Sequence, residues 1–249
     1  MKTPSKHQNG IVAILDALGT ASYSGVEVER FLQSRKNVMQ LLNEKIEGVL
    51  GIKSDRITIF TFNDTILLTL QCGQLHPTLA DITSFFTILR KFLVDSMRYR
   101  ILFRGSIAIG SFHVNEQTNT VMGQAVTDAA AWYDKADWIG VHATPHATII
   151  IQRWLEHNLK TRRFLMLDYD VPLKDAKTLR VKAVNWPKVF FVPSLTPCQN
   201  GEAPREKLLE FLALHQIPRG TESKYSNTIA FFDRAVKKMK MTQKTTRPR

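Results

Sequence analysis

Apolar residues recur along this chain with two periods, and the period switches several times. Ile11–Leu15 is a short, continuous, β-branched run that ends at Asp16 and Gly19. Such a run predicts a strand buried on both faces. Helical spacing takes over in residues 28–50. There Val28, Phe31, Leu32, Met39, Leu42, Ile46 and Val49 predict a long helix with one apolar stripe. Alternation returns between residues 56 and 70. Ile57, Ile59, Ile66, Leu68 and Leu70 predict two strands around a tight turn at Asn63 and Asp64. Leu79–Tyr99 reads as a second helix and Phe103–Val114 as a strand. Asn115–Asn119 reads as a polar turn, and Gln124–Lys135 as an Ala-rich helix opening after Gly123. Further strands are predicted at Trp138–Ala143, Phe164–Asp168 and Leu179–Val184. Further helices are predicted at Ala147–Asn158, Glu206–His215 and Ser223–Met239. Pro193–Pro204 holds three prolines and reads as a loop.

The order strand, helix, strand, strand, helix, strand is the ferredoxin-like split βαβ unit. The expected fold class is therefore α+β, a βαββαβ sheet with helices on one face, extended by C-terminal strands and helices. Residues 1–9 are expected to be a tail. Residues 10–233 are expected to form one domain, with its core in 10–145 and an extension over 146–233, and 234–249 a basic tail.

Composition narrows the class without naming a chemistry. The chain has 249 residues, 44% apolar and 22% charged, which suits a folded globular protein and excludes a disordered or collagen-like one. Two cysteines, Cys72 and Cys198, are too few for a disulfide framework, and a reduced, cytoplasmic protein is expected. No apolar run reaches the roughly 18 residues of a membrane span. The net charge of +12 invites a nucleic-acid reading. Residues 234–249, however, hold seven basic residues and no acid, which leaves the rest of the chain, 12 less 7, at +5. Nucleic acid is therefore not the expected partner, and the tail is expected to be a solvated, frayed end.

The candidate chemistry lies at one end of the expected sheet. Asp16 ends the first strand and Asp64 sits at the hairpin tip. In a ferredoxin-like unit the first and third strands are neighbours, so both carboxylates reach one rim. Two close carboxylates repel, and oxygen ligands of this kind suit Mg²⁺ or Mn²⁺. The alternative is a turn residue at Asp64 and a strand-end cap at Asp16. The small residues Ala17, Leu18, Gly19 and Thr20 follow, where backbone N–H groups could cradle phosphates. His142 and His146 are four apart, but Pro145 lies between them and no carboxylate follows at helical spacing. Trp132, Tyr133 and Trp138 are expected to form an aromatic cluster in a core or dimer interface. Asp128 and Asp134 are expected to be solvated or to serve the helix dipole. No Gly-x-Ser-x-Gly elbow, P-loop or dinucleotide glycine fingerprint is present.

Four segments together resemble class III nucleotidyl cyclases. Asp16-Ala-Leu-Gly-Thr20 resembles the family's Asp-Ile-x-Gly-Phe, and Phe62-Asn-Asp64 its hairpin Gly-Asp. Residues 104–110 resemble its Arg-x-Gly-Ile-x-x-Gly strand, and residues 123–130 its Gly-Asp-x-Val-Asn-x-Ala-Ala helix opening. They occur in family order over roughly residues 10–145. The remainder resembles a stand-alone bacterial branch similar to the pyrimidine cyclases of antiphage systems. The resemblance implies that Asp16, Asp64 and the carbonyl of Ala17 hold two Mg²⁺ or Mn²⁺ ions. It implies a homodimer with sites at the subunit interface, and conversion of a nucleoside triphosphate to a 3′,5′-cyclic monophosphate plus pyrophosphate. It also implies a separate effector that binds the product.

The departures from the family pattern bear on rate and on substrate. Its transition-state Asn and Arg align with Thr127 and Ala131, neither of which carries a guanidinium. Arg104 is the candidate substitute. The base-reading Lys and Asp of adenylyl cyclases align with Phe60 and Thr120. A phenyl ring at Phe60 fills space that a purine would use, so UTP, then CTP, is the expected substrate; Phe60 reads equally as core on an alternating strand. The alternative to an active enzyme is a catalytically dead cyclase fold that binds a nucleotide or a partner.

Overall fold

A computed structural model describes residues 6–48, 56–74, 76–157, 165–199, 201–215 and 217–245. Its first strand, β1 (Lys6–Ala17), leads through a 3₁₀ turn (Thr20–Ser22) to α1 (Gly25–Gly48). The hairpin β2 (Ile57–Phe62) and β3 (Thr65–Cys72) is followed by α2 (Leu79–Arg98), β4 (Phe103–Asn115), β5 (Thr120–Met122) and α3 (Gln124–Trp132). The extension adds β6 (Gly140–Ala143), α4 (Pro145–His157), β7 (Met166–Pro172), β8 (Thr178–Val184), a 3₁₀ segment (Trp186–Phe191), α5 (Pro204–Ala213) and α6 (Glu222–Thr245). Val49, Leu50, Asn158 and Phe164, at the ends of predicted elements, lie outside the described residues.

One mixed sheet runs in the order β2-β3-β1-β4-β6-β8-β7, with β5 paired to β4. The first four strands reproduce the ferredoxin-like order, and β1 pairs antiparallel with β3 on one side and β4 on the other. The continuous apolar run of β1 follows from its place in the middle. Ile11, Ala13 and Leu15 enter the main core, while Val12 and Ile14 enter a second core on the opposite face. β1 also starts earlier than expected. Lys6–Asn9 pair with residues 111–114 of β4, so the expected tail holds a polar strand end that no apolar pattern could reveal.

The helices are not confined to one face. Residues of α1, α2, α4, α5 and α6 build the main core. α3 instead sets Ala125 and Ala129 on the second core, with Val12, Ile14, Phe60, Leu67, Ala108, Phe112 and Val114. This also splits the expected aromatic cluster. Trp138 packs edge-to-face on Phe231, ring centroids 4.7 Å apart, in the main core. Tyr133 packs on the second core, and neighbouring Trp132 is half-buried. The α1 stripe is narrower than predicted: Phe31, Val38, Leu42 and Ile46 are buried, while Val28 and Leu32 are exposed. Charge did not prevent α6 from running past residue 233, because Ala235 is buried in the main core, Val236 packs against it and Met239 is buried. The expected frayed tail is therefore helical to Thr245, and 246–249 lie outside the described residues.

Local chemistry fixes the ends of α2. Thr78 and Asp81 form a reciprocal capping box, and Asp81 also pairs with Arg56. At the other end Ile101 N–H donates to Ser96 O (2.8 Å) and Arg100 N–H to Met97 O (3.1 Å). This is the Schellman pattern, with Arg100 at φ 62 where glycine is usual. In β4, Gly105 lies so close to β1 that a Cβ would come within 2.2 Å of the Ile14 carbonyl oxygen. Alanine at residue 105 must push β1 and β4 apart.

His142 is buried on β6, and burial pushes its imidazole down from 6.5 to about 4, against a weaker backbone interaction at Gly105. The unfolded chain takes up this proton near 6.5 and the folded one only near 4. Stability should therefore fall as pH drops through that window, by on the order of 3 kcal/mol from this residue. Melting temperatures between pH 7 and 4 should show the loss, and His142→Leu should flatten it. An unchanged pH profile in the variant would exclude His142 as the cause.

Candidate active site

The β1–β3 register sets Asp16 opposite Thr65, and the β1–β4 register sets it opposite Arg104. Asp64 is in the turn between β2 and β3, which Asn63 makes possible by adopting φ 49. The Ala17 N–H donates to the Asp64 carbonyl at 3.1 Å, which fastens the turn to the end of β1. The Thr20 hydroxyl donates to the Asp64 carboxylate, and Arg35 donates to the Asn63 carbonyl. Two carboxylates 48 positions apart thus share one rim, as the sequence led us to expect.

Asp16 is the better defined of the two. Arg104 grips its Oδ2 through Nε (3.1 Å) and Nη2 (2.9 Å), while Nη1 donates to the Asp134 carbonyl at 3.2 Å. The Thr65 hydroxyl reaches Oδ1 at 3.5 Å. Burial holds the Asp16 carboxyl above its ordinary value. Arg104 opposes the rise and the negative charge of Asp64 adds to it. The electrostatics are those of a carboxylate pair short of positive charge. Among the described residues no group of three His, Cys, Asp or Glu side chains could hold a metal. The donors that fit an oxygen-seeking divalent ion here are the two carboxylates and a backbone carbonyl at Ala17. His142 is buried and His146 exposed, so they form no pair.

The loop after Asp16 is less available than expected. Leu18 N–H donates to the Leu102 carbonyl at 2.8 Å, and Ala17 N–H is held by Asp64. Neither can serve as a phosphate donor without breaking these contacts. Gly19 is exposed at φ 85, with nothing within 4 Å of the place a Cβ would occupy. Beside this loop opens a cleft of about 930 Å³. Leu18, Gly19, Tyr23 and Arg104 line it together with Lys224 and Tyr225 of α6.

Three expected site residues stand apart. Phe60 is 3% exposed in the second core, where it stacks on Phe62 at 6.4 Å. In this chain it packs as core. Thr120 pairs with Asn115, at the end of β4 remote from Arg104. The two β4 positions are eleven residue steps apart along the strand, or roughly 35 Å. Thr127 and Ala131 are exposed on α3, whose Ala125 and Ala129 face the sheet. Asp128, expected to be solvated, accepts from Thr144 Oγ1 at 2.6 Å. Asp134 has Lys174 Nζ at 3.7 Å, in the turn between β7 and β8. Lys174 and Lys224 enter the site unannounced, because neither belongs to a local pattern.

Arg104 and Asp16 should respond asymmetrically to substitution at pH 7. Arg104→Met leaves a half-buried carboxylate without its donor and should cost roughly 1.5–3 kcal/mol. Asp16→Asn removes a charge that burial disfavours and should melt no lower than the native chain. Thermal unfolding of both variants checks this; equal destabilisation would mean the pair is a simple structural salt bridge.

No family model matches the chain, and no curated protein matches it. Among solved structures it is similar to the adenylyl cyclase CyaB from P. aeruginosa, at 13% identity and a TM-score of 0.47, covering 73% of this chain and 95% of that one. It is also similar to the catalytic core of a rhodopsin-guanylyl cyclase with converted specificity in complex with ATPalphaS. There the identity is 11% and the TM-score 0.43, covering 74% of this chain and 98% of that one.

Proposed function

We propose that the protein is a nucleotide cyclase that converts a nucleoside triphosphate to a 3′,5′-cyclic monophosphate and pyrophosphate. The observation that carries this reading is the meeting of Asp16 and Asp64 on one rim, with Arg104, which also lines the cleft, between Asp16 and the Asp134 carbonyl. Asp16, Asp64 and the Ala17 carbonyl would hold two Mg²⁺ or Mn²⁺ ions. Such ions, when bound, neutralise triphosphate charge and make a sugar hydroxyl easier to ionise. The chain's own residues set the geometry around them. Thr20 orients Asp64, and Thr65 and Arg104 orient Asp16. The 3′-hydroxyl releases its proton to solvent as its oxygen bonds to the α-phosphorus, the bond from that phosphorus to the α–β bridging oxygen breaks, and pyrophosphate leaves.

The substrate proposed is UTP, then CTP, on the sequence resemblance alone, since Phe60 is occupied in the core. The working form proposed is a homodimer. The second face of the sheet, where among the described helices α3 alone packs and Phe62 is 42% exposed, is the face on which the other subunit would lie. We place the enzyme in the cytosol, making a messenger for a separate effector, in a bacterial antiphage role. No helix among the described residues is long and apolar enough to cross a membrane. One observation favours a non-catalytic nucleotide-binding protein instead: Arg104 is already engaged in an ion pair with Asp16, and Thr127 and Ala131 carry no charge.

Purified protein incubated with ATP, GTP, CTP and UTP in Mn²⁺ should give one cyclic monophosphate by mass, and Asp64→Ala should give none. No product from any of the four, with metal-dependent nucleotide binding retained, would select the non-catalytic reading.

A further inference from the structure

This inference rests on the cyclase reading and concerns where the triphosphate lies. The motif positions at which the resembled family carries Asn and Arg hold Thr127 and Ala131, and both are exposed on α3. The cations of this chain are gathered elsewhere. The cleft beside Asp16 is lined by Arg30, Arg100, Arg104, Lys174 and Lys224, against one lining carboxylate among the described residues, Glu27. They come from five places in the fold: α1, the corner after α2, β4, the β7–β8 turn and α6. Burial depresses the Lys174 ammonium, and Arg104 and Lys224 depress it further while Asp134 opposes them. Three positive groups therefore share one space, and a bound polyanion would relieve their repulsion.

One of these residues sits where a different side chain would suit the fold better. Arg100 occupies the left-handed C′ position of α2, at φ 62, where glycine is unstrained. Lys224 is only 13% exposed and ion-paired with Asp137 at 3.4 Å, which fixes its ammonium beside the cleft. His215, which also lines the cleft, has a buried Nε2 with no hydrogen-bond partner among the described residues. Strain and burial of this kind recur where a site needs a particular group.

We propose that Arg100 and Lys224 bind the terminal phosphates of the nucleotide, so that the corner after α2 and the C-terminal helix supply within one chain the positive charge that Thr127 and Ala131 lack. The ligand class is an inorganic or nucleoside polyphosphate. Arg104 and Lys174 join this cradle to the carboxylate rim, through Asp16 and Asp134 respectively.

The probe is inorganic tripolyphosphate, titrated calorimetrically into the full chain without divalent metal. Lys224→Met should weaken binding by about 10-fold or more, and Lys224→Arg should restore most of it. Arg100→Gly should weaken binding comparably, yet unfold at no lower temperature than the native chain, because the left-handed strain is removed. That pairing separates a binding role from a structural one, and it holds even if Lys224→Met fails to fold. Failure of the native chain to bind tripolyphosphate, or unchanged affinity in Arg100→Gly and folded Lys224→Met, would overturn the cradle. Cyclic product with unchanged tripolyphosphate affinity in the variants would leave the cyclase reading standing without the cradle. Variant-sensitive binding in a chain that makes no cyclic product would do the reverse.

Discussion

The two-sided pairing of β1 is the constraint on which the rest of this structure depends. Each residue from Asn9 to Asp16 has a partner on both β3 and β4. A slip of one residue on either side would exchange the faces of Ile11, Ala13 and Leu15 with those of Val12 and Ile14. It would also remove Asp16 from Thr65 and Arg104. Core and rim are therefore fixed by one register, and the apolar residues hold the carboxylate in place. Gly105 belongs to the same constraint, since only a residue without a Cβ lets β4 approach Ile14 this closely.

The electrostatics of the rim follow from that register. Burial raises the free energy of ionised Asp16, Asp64 adds to it, and Arg104 offsets part of it. On the cleft side lie Arg100, Arg104, Lys174 and Lys224. The two sides meet at Arg104, which touches Asp16 and lines the cleft.

The C-terminal extension is part of this site as well as of the core. Phe231 and Phe232 are buried among Trp138, Tyr169, Trp186 and Phe190, which seats α6. Asn227 Nδ2 donates to the Asp137 carbonyl at 2.7 Å, and Ile139 N–H donates to Thr228 Oγ1 at 2.8 Å. The start of α6 is thereby tied to the segment that leads into β6. The same packing that buries Ala235 places Lys224 and Tyr225 on the cleft wall.

The sequence by itself determined the order of the elements, the ferredoxin-like core and the placing of Asp16 beside Asp64. Those features rest on local periodicity and on the fixed neighbour relations of the βαββαβ unit. Tertiary structure decided what depends on the face a side chain meets. Phe60 and Phe62 lie two apart on one strand, yet one is core and the other half-open. Lys6–Asn9 form strand through backbone pairing, which their polar side chains do not advertise. The basic segment from Arg234 is helix because Ala235 and Val236 find apolar partners in the main core, which a count of charges cannot show. Lys174, Lys224 and Arg100 are far apart in sequence and meet only because the β7–β8 turn, α6 and the end of α2 border one cleft. Periodicity reports which residues leave water; only the assembled fold reports which of them meet.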